Sequence, residues 1–390
     1  LFGYWFVIVL HQAVAFTNAF WFTTLGADAD AATFHRIGME LTQSGGFSFN
    51  IGSQFYENFL GVVYWLFEPS HFLGEQLSIL AFSLSCVVLI KILRQLGLLY
   101  CQVPVLLVFG GLPTMVLLGS ITMRESYQIL FFMLAVYFGI KMHLKGGINH
   151  NFIFLILSAL VMGLFHKGLI AYMLFLIFLF MAFSLKPTSH LWQIKKLHLS
   201  LLFVLPVFIV GLLAMVKLQL SGLGALSALA NLEAVEYAAN YRGQSVVARA
   251  TYGVELDLSS VFAFIFSAFT LYFYYLFSPF PWQIGGVLDA YAALESILRM
   301  VLLYYSVKHW RTASGVQRRL LGLMLILFLS MSFLWAMGTT NYGTAMRHHM
   351  LSWWILVVVG MPPFVAAAHR FFLGSIMNKS SPPISAERNS

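Results

Sequence analysis

Residues 151–185 read NFIFLILSALVMGLFHKGLIAYMLFLIFLFMAFSL, and their only charged or imidazole side chains are His166 and Lys167. At 1.5 Å per residue, the uncharged run 168–185 makes a helix of roughly 27 Å, close to the thickness of a hydrocarbon core. In lipid such a run satisfies its backbone only as a helix. The preceding run, 151–165, is separated from it by two residues, so the stretch reads as a helical hairpin with His166 and Lys167 at its tip. Working outward, similar runs lie near 4–22, 73–93, 102–119, 127–143, 199–219, 259–277, 288–307, 320–337 and 348–368. With the hairpin they predict an all-α, polytopic transmembrane helical bundle of about eleven spans. Residues 1–377 form a single transmembrane domain, and the polar, Pro/Ser-rich tail 378–390 is expected to be disordered.

Composition agrees. Of 390 residues, 60% are apolar, 16% aromatic and only 9% charged, and the mean hydropathy is +0.84. A soluble globule is excluded, and the net charge of +8 reports helix orientation, not nucleic-acid binding. Cys86 and Cys101 sit in apolar stretches and offer neither a disulfide framework nor a metal set. Basic residues cluster after alternate spans: Lys91 and Arg94; Lys141, His143 and Lys145; Lys186, Lys195 and Lys196; Lys308, Arg311, Arg318 and Arg319. The positive-inside rule places these loops in the cytoplasm. The long first loop (23–72), the turns at 120–126, 165–168 and 338–347, and the long mid-chain loop 220–258 then face outward. Parity holds if 259–277 with SPFPW (278–282) dips in and returns, or if a further crossing hides inside 220–258. Residues 51–68 read as an interfacial helix with Tyr56, Tyr64 and Trp65 at headgroup level.

Ionisable groups are costly in lipid, so those at segment ends are the first candidates for function. GADADAATFHR (26–36) carries Asp28 and Asp30, a carboxylate pair fit for base or metal-ligand duty, followed by His35 and Arg36. The alternative is a solvated helix cap. TMRESYQ (122–128) offers the forked guanidinium of Arg124, suited to phosphate oxygens, beside Glu125, which alternatively caps a helix start. His166 and Lys167 can meet an anion or simply supply the polar tip that a hairpin needs. GTTNYGTAMRHH (338–349) clusters Arg347, His348 and His349 on a loop whose outward placement runs against the charge rule. In the mid-chain loop, ANYRGQS (239–245) adds Arg242.

Taken together, GADADAATFH, TMRESYQ, LFHKGL, YYLFSPFPW and GTAMRHH resemble the bacterial polytopic GT-C-type glycosyltransferases and the O-antigen or exopolysaccharide polymerases that share their logic. The resemblance runs across about residues 4–368. It implies a GT-C-like fold and an enzyme of the bacterial inner membrane with its site on the periplasmic or extracellular face. There a sugar or oligosaccharide passes from a polyprenyl-(di)phosphate donor to a glycan acceptor. By resemblance Asp30, or Asp28, is the catalytic base or a contact to Mg2+ or Mn2+. His35, Arg36, Arg124, Glu125, His166, Lys167, Arg242, Arg347 and His348 bind substrate, the basic ones gripping phosphate. Many GT-C enzymes carry a soluble C-terminal domain, and none is expected in this sequence. The rival expectation is a transporter or flippase of lipid-linked sugars, which requires charges at the membrane midplane.

Overall fold

The computed structural model describes residues 2–146, 148–184, 250–254, 256–257 and 259–379. The expected span 199–219, most of the loop 220–258 with Arg242, and tail residues 380–390 lie outside the described residues. The apolar runs become helices: α1 (Phe2–Phe20), α4 (His71–Gln95), α5 (Gln102–Gly111), α6 (Pro113–Ser120), α7 (Glu125–Lys145), α8 (His150–Leu164) and α9 (Lys167–Ser184). They are followed by α10 (Val261–Phe277), α11 (Val287–Thr312), α12 (Gly315–Gly338) and α13 (Tyr342–Lys379). The first loop is itself helical, holding α2 (Ala32–Ser44) and α3 (Ser53–Leu66). Among the described residues the only strand-like feature is one isolated antiparallel bridge, Thr251 to Asn341.

Five helices, α4, α7, α9, α12 and α13, are long and apolar enough to cross a membrane, and α5 with α6 adds a sixth if that bent pair is one span. The chain is therefore a membrane protein; these helices do not by themselves establish eleven crossings. The expected span 102–119 breaks in two, with a bend of 63°. Pro113 drives the break, because it lacks an N–H and pushes the residue before it out of the helical region. Leu112 accordingly sits at φ −64°, ψ 131°. Of the residues expected at headgroup level on α3, Tyr56 and Tyr64 are buried in the protein, while Trp65 is exposed.

Sequence explains which helix is central. The run MLSWWILVVVGM in α13 is buried all round from Met350 to Met361, as a helix apolar on every face should be. It packs against α5, α6, α7, α11 and α12, and Trp354 meets Phe132 of α7 edge-on at 5.5 Å. Phe262, Phe266, Phe269 and Phe273 instead form an exposed stripe along α10, apolar surface of the kind lipid covers. The backbones of α11 and α13 touch at Gly360, where an added Cβ would lie 2.5 Å from the Leu302 carbonyl oxygen. Gly360→Ala is thus expected to force the two helices apart and cost about 1–3 kcal/mol, measurable as a lower unfolding midpoint in detergent.

Side-chain contacts sort the helix ends. Gln317 donates to the Leu96 carbonyl at 3.4 Å, and the His143 ring meets the Phe183 carbonyl at 3.0 Å. These bonds gather the ends of α4, α7 and α9 with the start of α12, together with Arg94, Lys145, Arg318 and Arg319. The starts of α4, α7, α9 and α13, and the ends of α8 and α12, lie at the opposite end. There α2 and α3 pack on each other across the bundle.

Candidate functional site

The cluster at that opposite end is built around Arg347, in the second turn of α13. Its Nε and Nη2 both donate to Glu125 Oε1, each at 2.6 Å, and its Nη1 donates to Asp30 Oδ2. Asp30 lies on a short kinked turn, Ala27–Ala31, that leads into α2, with Ala29 at non-helical φ −97°, ψ −107°. Glu125 opens α7, where the helix dipole favours a carboxylate. Exposure is graded: the Glu125 side chain is 4% exposed, that of Arg347 20% and that of Asp30 54%. A guanidinium holding a buried carboxylate and an open one together orients the open one for work at the surface.

Arg124 stands beside this pair, its Nε 3.9 Å from Glu125 Oε1 and its guanidinium over the Phe34 ring. Arg124 Nη1 and Gln128 Nε2 both point at the Phe165 carbonyl, at 3.5 and 3.4 Å. These two donors dock the hairpin tip against the start of α7. Burial holds the Arg124 pKa below its usual value, with Arg347 adding to that and Glu125, Asp30 and Glu57 opposing it. Arg124 stays cationic even so. Glu57, on α3, is pushed up by burial and pulled back by Arg124.

At the tip, the Gly168 N–H donates to His166 Nδ1 at 3.0 Å, so a neutral His166 carries its proton on Nε2. Burial lowers its pKa to about 3, helped by Arg124 and Arg347. The His166 ring meets Trp335 edge-on at 4.8 Å, and Trp335 stacks on His348 at 4.0 Å. Thr339 Oγ1 lies 2.7 Å from both the Trp335 carbonyl and His348 Nδ1. Arg347 and His348 therefore face one cluster from the same turn of α13.

A cleft of about 340 Å³ opens next to Arg124. Its walls are Ile51, Gly52, Ser53, Gln54, Arg124, His166 and Lys167. Gly52 has φ 99°, a region that L side chains rarely adopt, and its N–H donates to the Leu164 carbonyl at 2.8 Å. That bond ties the start of α3 to the hairpin.

The structure thus brings Asp30, Glu125, Arg124, His166, Lys167, Arg347 and His348 to one place. Others stand apart. Asp28 is exposed. Arg36 is exposed and paired within its own helix to Glu40, at 2.5 Å. His35 turns toward α3 and α4, its Nδ1 2.9 Å from the Tyr64 hydroxyl and its ring 3.7 Å from that of His71. His349 points to α10, meeting the Tyr275 carbonyl at 2.9 Å. Among the described residues no three His, Cys, Asp or Glu side chains converge to hold a metal, so Asp28 and Asp30 have no third ligand of that kind there. Sequence reasoning passes over Gly52, Ser53, Gln54, Glu57, Gln128, Trp335 and Thr339. The NIGSQ stretch carries a signal, a glycine followed by a helix-starting serine. Comparison with protein-family models, curated proteins and solved structures finds no match.

Burial also lowers the His35 pKa to about 4, with facing His71 adding to the effect. A histidine depressed in the fold contributes stability above its unfolded pKa near 6.5, and that contribution is lost as pH falls toward about 4. His166 acts in the same direction. Thermal stability in detergent is expected to decline as pH falls from about 6.5 to about 4, and His35→Gln should flatten that decline.

Proposed function

We propose that the protein transfers a sugar or oligosaccharide from a polyprenyl-(di)phosphate donor to a glycan acceptor, at the extracytoplasmic end of the bundle. The reading rests on one observation: Arg347 holds the half-exposed Asp30 and the buried Glu125 together, beside the cationic cleft at Arg124, His166 and Lys167. Asp30, not Asp28, is the base, since only Asp30 is oriented by that guanidinium. It accepts the proton of the acceptor hydroxyl as that oxygen attacks the anomeric carbon. The bond from anomeric carbon to phosphate oxygen breaks, and the lipid phosphate leaves with the electron pair. Positioned cations stabilise the charge that develops on it. Loop charge supports this sidedness, because the opposite end carries Arg94, Lys145, Arg318 and Arg319.

Transport of lipid-linked sugars draws on a different observation, the buried Glu295 and Arg299 of α11. Both have fixed tasks. Glu295 accepts from Thr114 at the start of α6, and Arg299 donates to the Leu276 carbonyl at the end of α10, at 2.6 Å. Arg299 thus serves a carbonyl at a buried helix end, and Glu295 takes the Thr114 and Tyr291 hydroxyls, which favours a structural role. The deciding experiment supplies the purified protein in nanodiscs with lipid-linked oligosaccharide and an acceptor glycan and follows glycan lengthening. Movement of intact donor across liposomes, with no lengthening, overturns the transfer reading.

A further inference from the structure

We infer that Asn18 of α1 and Glu75 of α4 are positioning residues for Asp30, and that together they fix the backbone from which its turn starts. The consequence for catalysis rests on the transfer reading; the anchor itself rests on geometry. α1 ends at Phe20, and the N–H groups of Trp21 and Phe22 both fold back onto the Thr17 carbonyl, at 2.9 and 3.0 Å. The Asn18 side chain reaches past this helix end. Its Oδ1 accepts from the Thr24 N–H at 2.8 Å and from Thr24 Oγ1 at 3.2 Å. A backbone N–H can only donate, so the atom facing it is the amide oxygen, and the amide nitrogen is left for Glu75. That nitrogen donates to Glu75 Oε1. Thr24 passes the constraint on, because its carbonyl accepts the Ala27 N–H that opens the Asp30 turn, at 3.1 Å.

The anchor is sunk in the protein: Glu75, Thr24 and Ala27 are all buried. Among the described residues Glu75 makes a single hydrogen bond, the one to Asn18, and its Oε2 makes none. Burying a carboxyl with so few partners is costly, so what this carboxyl does in the structure is carried by that one bond. An amide suits the middle position, since one arm donates to the carboxyl while the other accepts from the backbone; an aspartate there only accepts. Asp30 is thus held twice, through its side chain by Arg347 and through its backbone by Asn18. Neither Asn18 nor Glu75 lines the cleft at Arg124, so their loss should displace the base and spare donor binding.

The test uses the full chain in phosphatidylcholine nanodiscs, with a spin label on Ala29→Cys. Position 29 is exposed in the turn, and the two native cysteines are buried. Label mobility is read by electron paramagnetic resonance without substrate, and transfer kinetics are measured on the unlabelled chain. Asn18→Leu and Glu75→Leu are each expected to free the label and to lower kcat about 10- to 100-fold, the scale of a misplaced reacting group, with donor KM within about twofold of the parent. Asn18→Asp sets two carboxyls against each other and should do the same. Adding Glu75→Gln to it reverses the amide–carboxyl bond and keeps the acceptor for Thr24. This exchange variant should restore the ordered label and bring kcat within about threefold of the parent, a coupling that two independent sites would not show. Unchanged label mobility in both leucine variants overturns the anchor, as does an exchange variant no better than Asn18→Asp, or a rise in donor KM that accounts for the lost activity. If a leucine variant does not fold, the comparison of Asn18→Asp with the exchange variant decides. If label mobility follows the expected pattern while the parent transfers no donor, the transfer reading fails and the anchor stands.

Discussion

Arg347→Met is expected to lower the stability of the folded protein by about 3–5 kcal/mol and to abolish transfer. The first part follows from Glu125, whose side chain is 4% exposed and whose Oε1 takes two of the Arg347 donors. Removing one partner of a buried ion pair leaves the other as an uncompensated charge, which costs more than the pair itself contributes. Glu125 Oε2 already lacks a hydrogen-bond partner among the described residues, so nothing else stands ready to take up the loss. Arg124, 3.9 Å away, compensates only in part. The double variant Arg347→Met with Glu125→Gln removes the orphan charge and is expected to recover most of the stability without recovering transfer. Equilibrium unfolding in detergent checks both. If the single variant unfolds within 1 kcal/mol of the parent, on the order of an exposed pair, the guanidinium is not the keystone of this end of the bundle.

The members of that cluster are legible in the sequence; their pairing is not. In a chain built for lipid, ionisable residues at segment ends are few, and each has a cost that must be met. Asp30, Arg124, Glu125, His166, Lys167 and Arg347 stand out on that ground alone. Contacts such as Asp30 to Arg347 join residues hundreds of positions apart, and no local periodicity records them. The first loop is read only in part: a helix is expected over 51–68, where α3 lies, but α2 is not. Phe34, His35 and Gly38 make one buried face of α2, and Gly38 lets α2 approach α3 at Leu60 and Tyr64. What loop charge describes only as an outside connection is an amphipathic hairpin laid over the site. The i,i+4 spacing of Arg36 and Glu40 is readable as a pair satisfied within one helix, which sets Arg36 apart from the cluster. His35 is drawn to the site by its neighbours in sequence, yet its face of α2 carries it to Tyr64 and His71.

Asp30→Asn is expected to reduce glycan transfer by about 10²–10⁴-fold, the usual worth of a positioned acid–base group, while Asp28→Asn falls no more than a few-fold. The two carboxylates are two residues apart, but only Asp30 reaches Arg347. Asparagine retains an acceptor oxygen for Arg347 and nearly the same volume, so the turn Ala27–Ala31 should keep its shape; what is lost is the charge and basicity that let the carboxylate take the acceptor's proton. The loss should therefore fall on kcat, with donor KM changed little, because Asp30 does not line the cationic cleft at Arg124, His166 and Lys167. A rise in donor KM of the same size as the fall in kcat/KM would instead make Asp30 a binding group. Equal losses in Asp28→Asn and Asp30→Asn would mean that neither is the base and that the pair acts through the local shape of its turn. Asp30→Glu is the sharper check. It keeps the carboxylate and shifts it by one methylene, and loss of most activity in that variant would show that the Arg347 contact matters because of where it holds the oxygen.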